Sequence, residues 1–450
     1  MLDLLLRNGR VVTASAVVEA DIGIKDGKIA GVFSGGTSQA ASEEVDISKN
    51  MVFPGAIDTH SHFFEPFPID KEDFYHATMA AAAGGVTTCI EMPQSIPPVT
   101  DKESFEKKYN AASAKAVVDF AFWGGCGPQW LDNMDQLHEL GCCAFKLFTS
   151  DAGPNYAMCD DYSLVKAMER AGRLKSIVGI HTENNAICQG MEEELRSQGK
   201  VGPEYHEQSR PVYGEIEAVK RVIYFAEHTK CPVMICHLGI PEAAMLVKQA
   251  KAKGIPVYME TCPHYLTLDD SAMVKYGSYA KVNPPLRDKM RMERLWDYVF
   301  DGTVDCIGSD HGVYTEAEKE QKEIFKAPGG FPGLDLMMNI MVSEGINKRG
   351  VSPERIAEMM SLRAARLFGL YPRKGWIGVG ADADLAIVDL QRRWSFSYMD
   401  SFCKTRSTKY PYEGFEGIGK VIKTYVRGKL VYDEGEIKTE AGYGKYIKRY

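Results

Sequence analysis

The chain has no excess of positive charge, no long apolar run and no low-complexity tract or tandem repeat. Each absence removes a class of function. Its 53 Lys and Arg stand against 61 Asp and Glu, a net charge of −8, whereas a nucleic-acid surface draws its affinity from clustered Lys and Arg. The densest basic stretch, Lys445 to Arg449, reads as a solvated tail. No stretch approaches the roughly 20 apolar residues of a membrane span. Neither nucleic acid nor membrane is therefore expected as a partner. The chain begins Met1-Leu-Asp-Leu-Leu-Leu-Arg-Asn-Gly, which lacks the basic end and long apolar core of a signal peptide. The 11 cysteines are odd in number and irregularly spaced, and many sit in apolar runs (Cys89, Cys142, Cys143, Cys236, Cys306). That is not a disulfide framework, and a cytoplasmic location is expected.

What is present is ordinary globular material, 45% hydrophobic and 25% charged over 450 residues. That is enough for a barrel enzyme with a small appended module. Both chain ends carry short alternating strands: Leu4 to Thr13 and Ala20 to Ile29, with Asn-Gly and Asp-Gly turns, then Ala383 to Asp389 and Val421 to Tyr432. The two ends are expected to pair into one small β-sandwich domain, residues 1–52 plus 375–450.

Between them, apolar β-rich runs alternate with amphipathic helical stretches, the pattern of a parallel sheet with crossover helices. Eight such runs start at Phe53, Val86, Val117, Cys142, Ile177, Val233, Val257 and Val304. The expected fold class is α/β, a (β/α)8 TIM-like barrel over residues 53–374. Candidate metal ligands close the first, fifth, sixth and eighth runs, and another lies near the end of the fourth. Barrel enzymes place their chemistry at these carboxyl-terminal strand ends.

His60 and His62 are two apart at a strand end, so both point to one side and could grip one ion. His181, His237 and Asp310 each follow an apolar run. Taken singly, each has a plainer reading as a satisfied core histidine or a capping aspartate; five coincidences on five strand ends do not. Lys146, in Ala-Phe-Lys-Leu-Phe, puts an ammonium in an apolar strand, where an unpaired charge costs several kcal/mol. The plain reading is a lysine snorkelling at the strand end. The functional one is an amine modified or held uncharged in the site.

Pro54-Gly-Ala-Ile-Asp-Thr-His-Ser-His, the lysine of the fourth strand and the ligands of the fifth, sixth and eighth resemble the amidohydrolase superfamily over nearly the whole chain. Cys89-Ile-Glu-Met-Pro, Glu183-Asn-Asn-Ala-Ile-Cys, Ser209-Arg-Pro-Val-Tyr-Gly-Glu, Glu260-Thr-Cys-Pro-His-Tyr-Leu and Asn283-Pro-Pro-Leu-Arg narrow the resemblance to the cyclic amidohydrolases. Within that group (allantoinase, dihydropyrimidinase or hydantoinase, dihydroorotase) they are most similar to allantoinase. The resemblance implies two divalent ions, zinc by default with manganese, cobalt or iron also suited. Carboxylated Lys146 would bridge them, with His60, His62 and Asp310 on one ion and His181 and His237 on the other. It further implies a metal-bridging hydroxide attacking the carbonyl of a small cyclic amide, Asp310 as general acid and base, hydrogen bonds to the ring amide from the backbone around Asn283 and Thr315, and a homotetramer or homodimer.

The departures concern the substrate. Phe64 stands where a dihydroorotase has an arginine for the substrate carboxylate, and Asp151 stands where hydantoinases have a tyrosine. Gly312-Val-Tyr314 replaces the Ser-Pro usual in allantoinases. Phe63, Phe64, Phe67 and Tyr314 are expected to form an aromatic rim favouring a ring less polar than allantoin. A hydantoinase-like or cyclic-imide hydrolase is the alternative, and a non-catalytic assembly protein is a further one. His264 is expected to touch or back the substrate, and His311 to orient Asp310. His76, His138, His206 and His228 read as surface residues, and Asp151 to Tyr156 as a lid.

Overall fold

The computed structural model describes residues 1–450. The amino-terminal strands are β1 (Leu2–Val12), β2 (Val17–Lys25), β3 (Lys28–Ser34), β4 (Ala41–Asp46) and β5 (Met51–Pro54). Next come β6 (Ala56–His62), β7 (Val86–Glu91), β8 (Asp119–Gly125), β9 (Ala144–Phe148), β10 (Ile177–His181), β11 (Val233–Ile235), β12 (Val257–Thr261), β13 (Cys306–Ile307) and β14 (His311–Gly312). The chain ends with β15 (Leu385–Ser395), β16 (Glu416–Val426), β17 (Lys429–Asp433) and β18 (Glu436–Ile437).

Strands β6 to β14 form one parallel sheet ordered β13-β12-β11-β10-β9-β8-β7-β6-β14. It is the TIM-like barrel expected, with the eighth strand split. β13 pairs with β12 and β14 pairs with β6, so the segment from Cys306 to Gly312 joins both edges. The split has a local cause. A Cβ on Gly308 would lie 2.9 Å from Glu260 Cδ and from His60 Cβ. Buried Asp58 accepts the Ser309 N–H (2.8 Å) and hydroxyl (2.7 Å), turning the chain across. Every residue of β7, β8, β9 and β10 is buried, as a parallel sheet covered on both faces requires.

The chain ends pair into a second, mixed sheet, β18-β17-β16-β15-β5-β1-β2-β3, with β4 on β1. The first apolar run is shared between the two sheets: Met51–Pro54 joins the end sheet and Ala56–His62 the barrel. Gly55 is the joint, where a Cβ would strike Thr87 at 2.2 Å. Asp26-Gly27 makes the expected turn, but Asn8-Gly9 does not. β1 runs through it with an irregularity, and the Asn8 N–H, at φ 62°, donates to Asp21.

The carboxyl-terminal tail is solvated only in part, at Lys445, Lys448 and Tyr450. Tyr446 pairs alongside Phe120 of β8, Ile447 is fully buried, and Arg449 donates to Ser176 (2.8 Å) and the Lys175 carbonyl (2.8 Å). The charged residues flank an apolar pair that packs under the barrel, and composition alone hid that pair.

Candidate active site

At the carboxyl-terminal mouth of the barrel, His60, His62, Lys146, His181, His237 and Asp310 line one cleft of about 340 Å³. His60 and His62 end β6, and their Nε2 atoms each lie 3.4 Å from Asp310 Oδ1. His181 ends β10, and His237 follows β11. His181 Nδ1 and His237 Nε2 face each other at 3.2 Å. Lys146 is fully buried in β9 and forms no ion pair; its Nζ has His60 Nε2 at 3.5 Å. His237 (φ 36°), Asp310 (φ 48°) and Phe64 (φ 63°) all hold left-handed backbone, which side-chain-bearing residues rarely adopt. Such strain concentrates at functional sites.

The face each imidazole offers is set by the groups behind it. Glu260 Oε2 lies 2.7 Å from His60 Nδ1 and also accepts the His237 N–H at 3.0 Å, while its Oε1 accepts the Thr59 hydroxyl at 2.6 Å. Glu183 Oε2 lies 2.7 Å from His181 Nε2 and is ion-paired to Arg210. His60 Nε2 and His181 Nδ1 are thereby left facing the cleft, as outer partners commonly orient ligating histidines. Burial, with Lys146 adding to it, pushes the His60 and His237 imidazoles well below their ordinary pKa. Burial alone would raise Asp310, but His60 and His62 outweigh it and hold the carboxylate well below its usual range.

This set of imidazoles and a carboxylate suits a divalent first-row metal. The ligand atoms of His60, His62 and Asp310 lie within 4.8 Å of one another.

Of the residues expected at the substrate, Phe64, Tyr314 and Asn283 line the cleft. Phe64 and Tyr314 rings are 5.4 Å apart. Thr315 does not line it: its side chain and N–H are taken by Glu318, in a capping box that starts the helix Glu316–Lys319. The Thr-x-x-Glu spacing is the sequence mark of that box. His264 lies behind the lining, buried against Tyr265 and Phe331, its Nε2 without a partner.

The aromatic rim is half of what was expected. Phe63 is fully buried edge-on against Phe74, and Phe67 is 58% exposed. His311 turns away from Asp310, its Nδ1 accepting the Gly333 N–H at 3.3 Å and its Nε2 3.4 Å from Glu72. His206 is buried, with Nε2 2.9 Å from the Val282 carbonyl, rather than on the surface. In the expected lid, Asp151 and Gly153 line the cleft, while the Tyr156 hydroxyl is anchored on the Lys146 carbonyl at 2.8 Å. Gln94, Arg210 and Lys281 also line the cleft, and the sequence reading gave them no role.

The family profile described as "Amidohydrolase family" matches residues 51–431. An allantoinase of Deinococcus radiodurans is 38% identical over 437 residues, covering 97% of this chain and 96% of its own. An L-hydantoinase of Paenarthrobacter aurescens is 33% identical over 461 residues, covering 100% and 98%. The solved structure of an L-hydantoinase (dihydropyrimidinase) from Arthrobacter aurescens superposes with a TM-score of 0.97 at 32% identity, covering 100% of both chains.

Proposed function

As the chain belongs to the amidohydrolase family, we propose that it is an allantoinase-like enzyme that hydrolyses a ring amide bond of a small cyclic amide or ureide. The observation that carries the reading is Lys146, fully buried and without an ion pair among four histidines and Asp310. Carboxylation of its amine would turn an uncompensated cation into an anionic ligand. His60, His62 and Asp310 would then hold one divalent ion and His181 and His237 a second, with carboxylated Lys146 between them. Zinc is the default, and manganese, cobalt or iron are suited by the same donors. Bound there, the ions would supply an activated water and polarise the ring carbonyl.

The residues of the chain do the rest. Asp310, kept ionised, accepts a proton from the attacking water and delivers it to the ring nitrogen as the C–N bond breaks. The ring nitrogen is the leaving group, and the carbonyl carbon becomes a carboxylic acid that gives its remaining proton to solvent and ends as a carboxylate. Glu260 and Glu183 keep the imidazoles aimed while the proton moves. Asn283 offers its carboxamide to a ring N–H; its Oδ1 is buried without a partner.

A second reading, a hydantoinase-like or cyclic-imide hydrolase for a more apolar ring, draws on the Phe64 and Tyr314 wall. Hydrolysis of allantoin, hydantoin, dihydrouracil, their alkyl and aryl forms and cyclic imides by metal-loaded protein tests both. Allantoin turnover well above the rest favours the first reading, aryl hydantoins or imides above allantoin the second, and no ring opened overturns both. A homotetramer or homodimer is proposed, to be checked by light scattering. No helix is long and apolar enough to cross a membrane, and eleven free, buried cysteines accord with the proposed cytoplasmic location.

A further inference from the structure

Three neighbouring strand ends build one arc of the cleft. β14, β6 and β7 are adjacent in the barrel, and the residues just beyond them, Tyr314, Phe64 and Gln94, all line the cleft. The segments are tied together: the Met92 N–H donates to the Ser61 carbonyl and the Ile96 N–H to the Phe67 carbonyl, both at 2.9 Å. Lys71 braces the aromatic pair from behind, its Nζ 4.8 Å from the Phe64 ring centre and 4.7 Å from that of Tyr314, and it is paired with Glu318 at 2.6 Å. The arc is therefore a braced aromatic wall, its two rings tilted by 57° to each other, with a single carboxamide at one end.

That carboxamide is unsatisfied. Gln94 is half-buried, and its Oε1 is buried and accepts no hydrogen bond; a turn of the carboxamide about its last side-chain bond, a soft torsion, presents that oxygen to a ligand in the cleft. A buried acceptor left unpaired costs about 1–3 kcal/mol, so it favours a ligand that brings a donor and disfavours one that brings a methyl group. Across the cleft, the other unpaired carboxamide oxygen belongs to Asn283, which is taken up by the ring itself in the reading above.

We propose that Gln94 is a specificity residue. It accepts a hydrogen bond from an N–H or O–H at the end of a flat ring substituent lying along Phe64 and Tyr314. The substrate class is thereby narrowed to cyclic amides whose substituent is planar and carries a terminal donor, such as a phenol or a ureido group. This rests on the cyclic-amide reading.

The test uses pairs of rings alike in shape: 5-(4-hydroxybenzyl)hydantoin against 5-benzylhydantoin, with allantoin as the ureido case. The metal-loaded parent is expected to prefer the donor-bearing ring of the pair by roughly 10-fold in kcat/KM. Gln94→Met, nearly isosteric without the acceptor, should erase that preference, mostly through KM, and should lower allantoin turnover. Gln94→Glu, which keeps an acceptor, should retain the preference. Equal handling of the pair by the parent, or an equal loss on both rings in Gln94→Met, overturns the assignment while leaving the cyclic-amide reading standing. If no ring is opened by any of the three proteins, that reading falls and the assignment falls with it.

Discussion

Two lysines are buried to the same degree in different parts of the molecule, Lys374 at 1% and Lys146 at 0% exposed, and their surroundings are opposite. Lys374 Nζ lies 2.5 Å from Asp119, 2.6 Å from Asp384 and 3.1 Å from Asp382. Asp119 opens β8 in the barrel and Asp384 immediately precedes β15 in the end sheet, so the ammonium ties the two sheets together. Lys146 has no carboxylate partner. The other fully buried ammonium groups are also provided for: Lys108 is paired with Glu91, and Lys319 donates to the Ser278 and Pro328 carbonyls. Where a buried lysine is structural, the fold surrounds it with acceptors. At Lys146 it surrounds it with imidazoles, an arrangement that makes sense only if the amine changes charge or meets a ligand.

The contrast is broken most directly by removing each charge. Lys146→Met should reduce ring hydrolysis to background and lower bound metal, measured by elemental analysis. Yet in the presence of chelator it should unfold in urea no more easily than the parent, with a gain of up to about 1–4 kcal/mol, because a buried charge without a partner is replaced by an apolar chain of similar volume. Retained metal with full activity would refute the ligand assignment.

Lys374→Met should do the reverse. Asp384 loses its only cation, while Asp119 keeps Arg427 and Asp382 keeps Arg373 and Lys28; stability should fall by about 3–5 kcal/mol, read from the urea midpoint, while kcat of the folded fraction holds. If both substitutions shift the midpoint in the same direction, the difference between the two environments has no energetic meaning.

A smaller effect is expected one shell out. Glu183→Gln and Glu260→Gln keep the shape of each side chain but weaken the bond that aims His181 or His60. Metal affinity or activity should drop by roughly 10–100-fold, with the secondary structure intact by circular dichroism. A loss as complete as that of Lys146→Met would show that these carboxylates ligate directly rather than through the imidazoles.

Why the proposed ligands were legible in the sequence and their supports were not follows from the same packing. His60, His62, Lys146, His181, His237 and Asp310 each interrupt or close an apolar run, so each is conspicuous. Glu260 sits just as oddly in Val257-Tyr-Met-Glu-Thr, and the argument applied to Lys146 would have found it. Gln94, Glu183 and Arg210 lie in polar loop segments, where no periodicity separates a residue facing the cleft from one facing water. Phe63 shows the converse error: standing next to His62 does not fix direction, and the core claims its ring. Thr315, implied by the resemblance alone, is claimed by a capping box. The eighth strand was read whole from Val304 to Asp310, but Gly308 and the left-handed Asp310 divide it. Asp310 reaches the histidines from that break.

The smallest effect is a dependence on pH that separates charge from shape at Lys374. Burial would raise the Asp382 carboxyl, but Lys374 and then Arg373 outweigh it, and its pKa lies below the ordinary 3.8. A group lowered on folding contributes stability that is complete above its unfolded value and is lost as the pH falls through the folded one. With Lys374 gone, Asp382 keeps Arg373 and Lys28 but loses the largest part of that hold and rises, joining Asp384, which burial already raises. In Lys374→Met the carboxylates can then relieve their repulsion by taking up protons on acidification, so its deficit should be widest near pH 7. It should narrow towards pH 3.5 by about 1.4 kcal/mol for each pKa unit regained, read as the difference in urea midpoints between variant and parent at the two pH values. A deficit constant across that range would mean that the lysine stem, rather than its charge, joins the two sheets, and the contrast with Lys146 would then be one of packing alone.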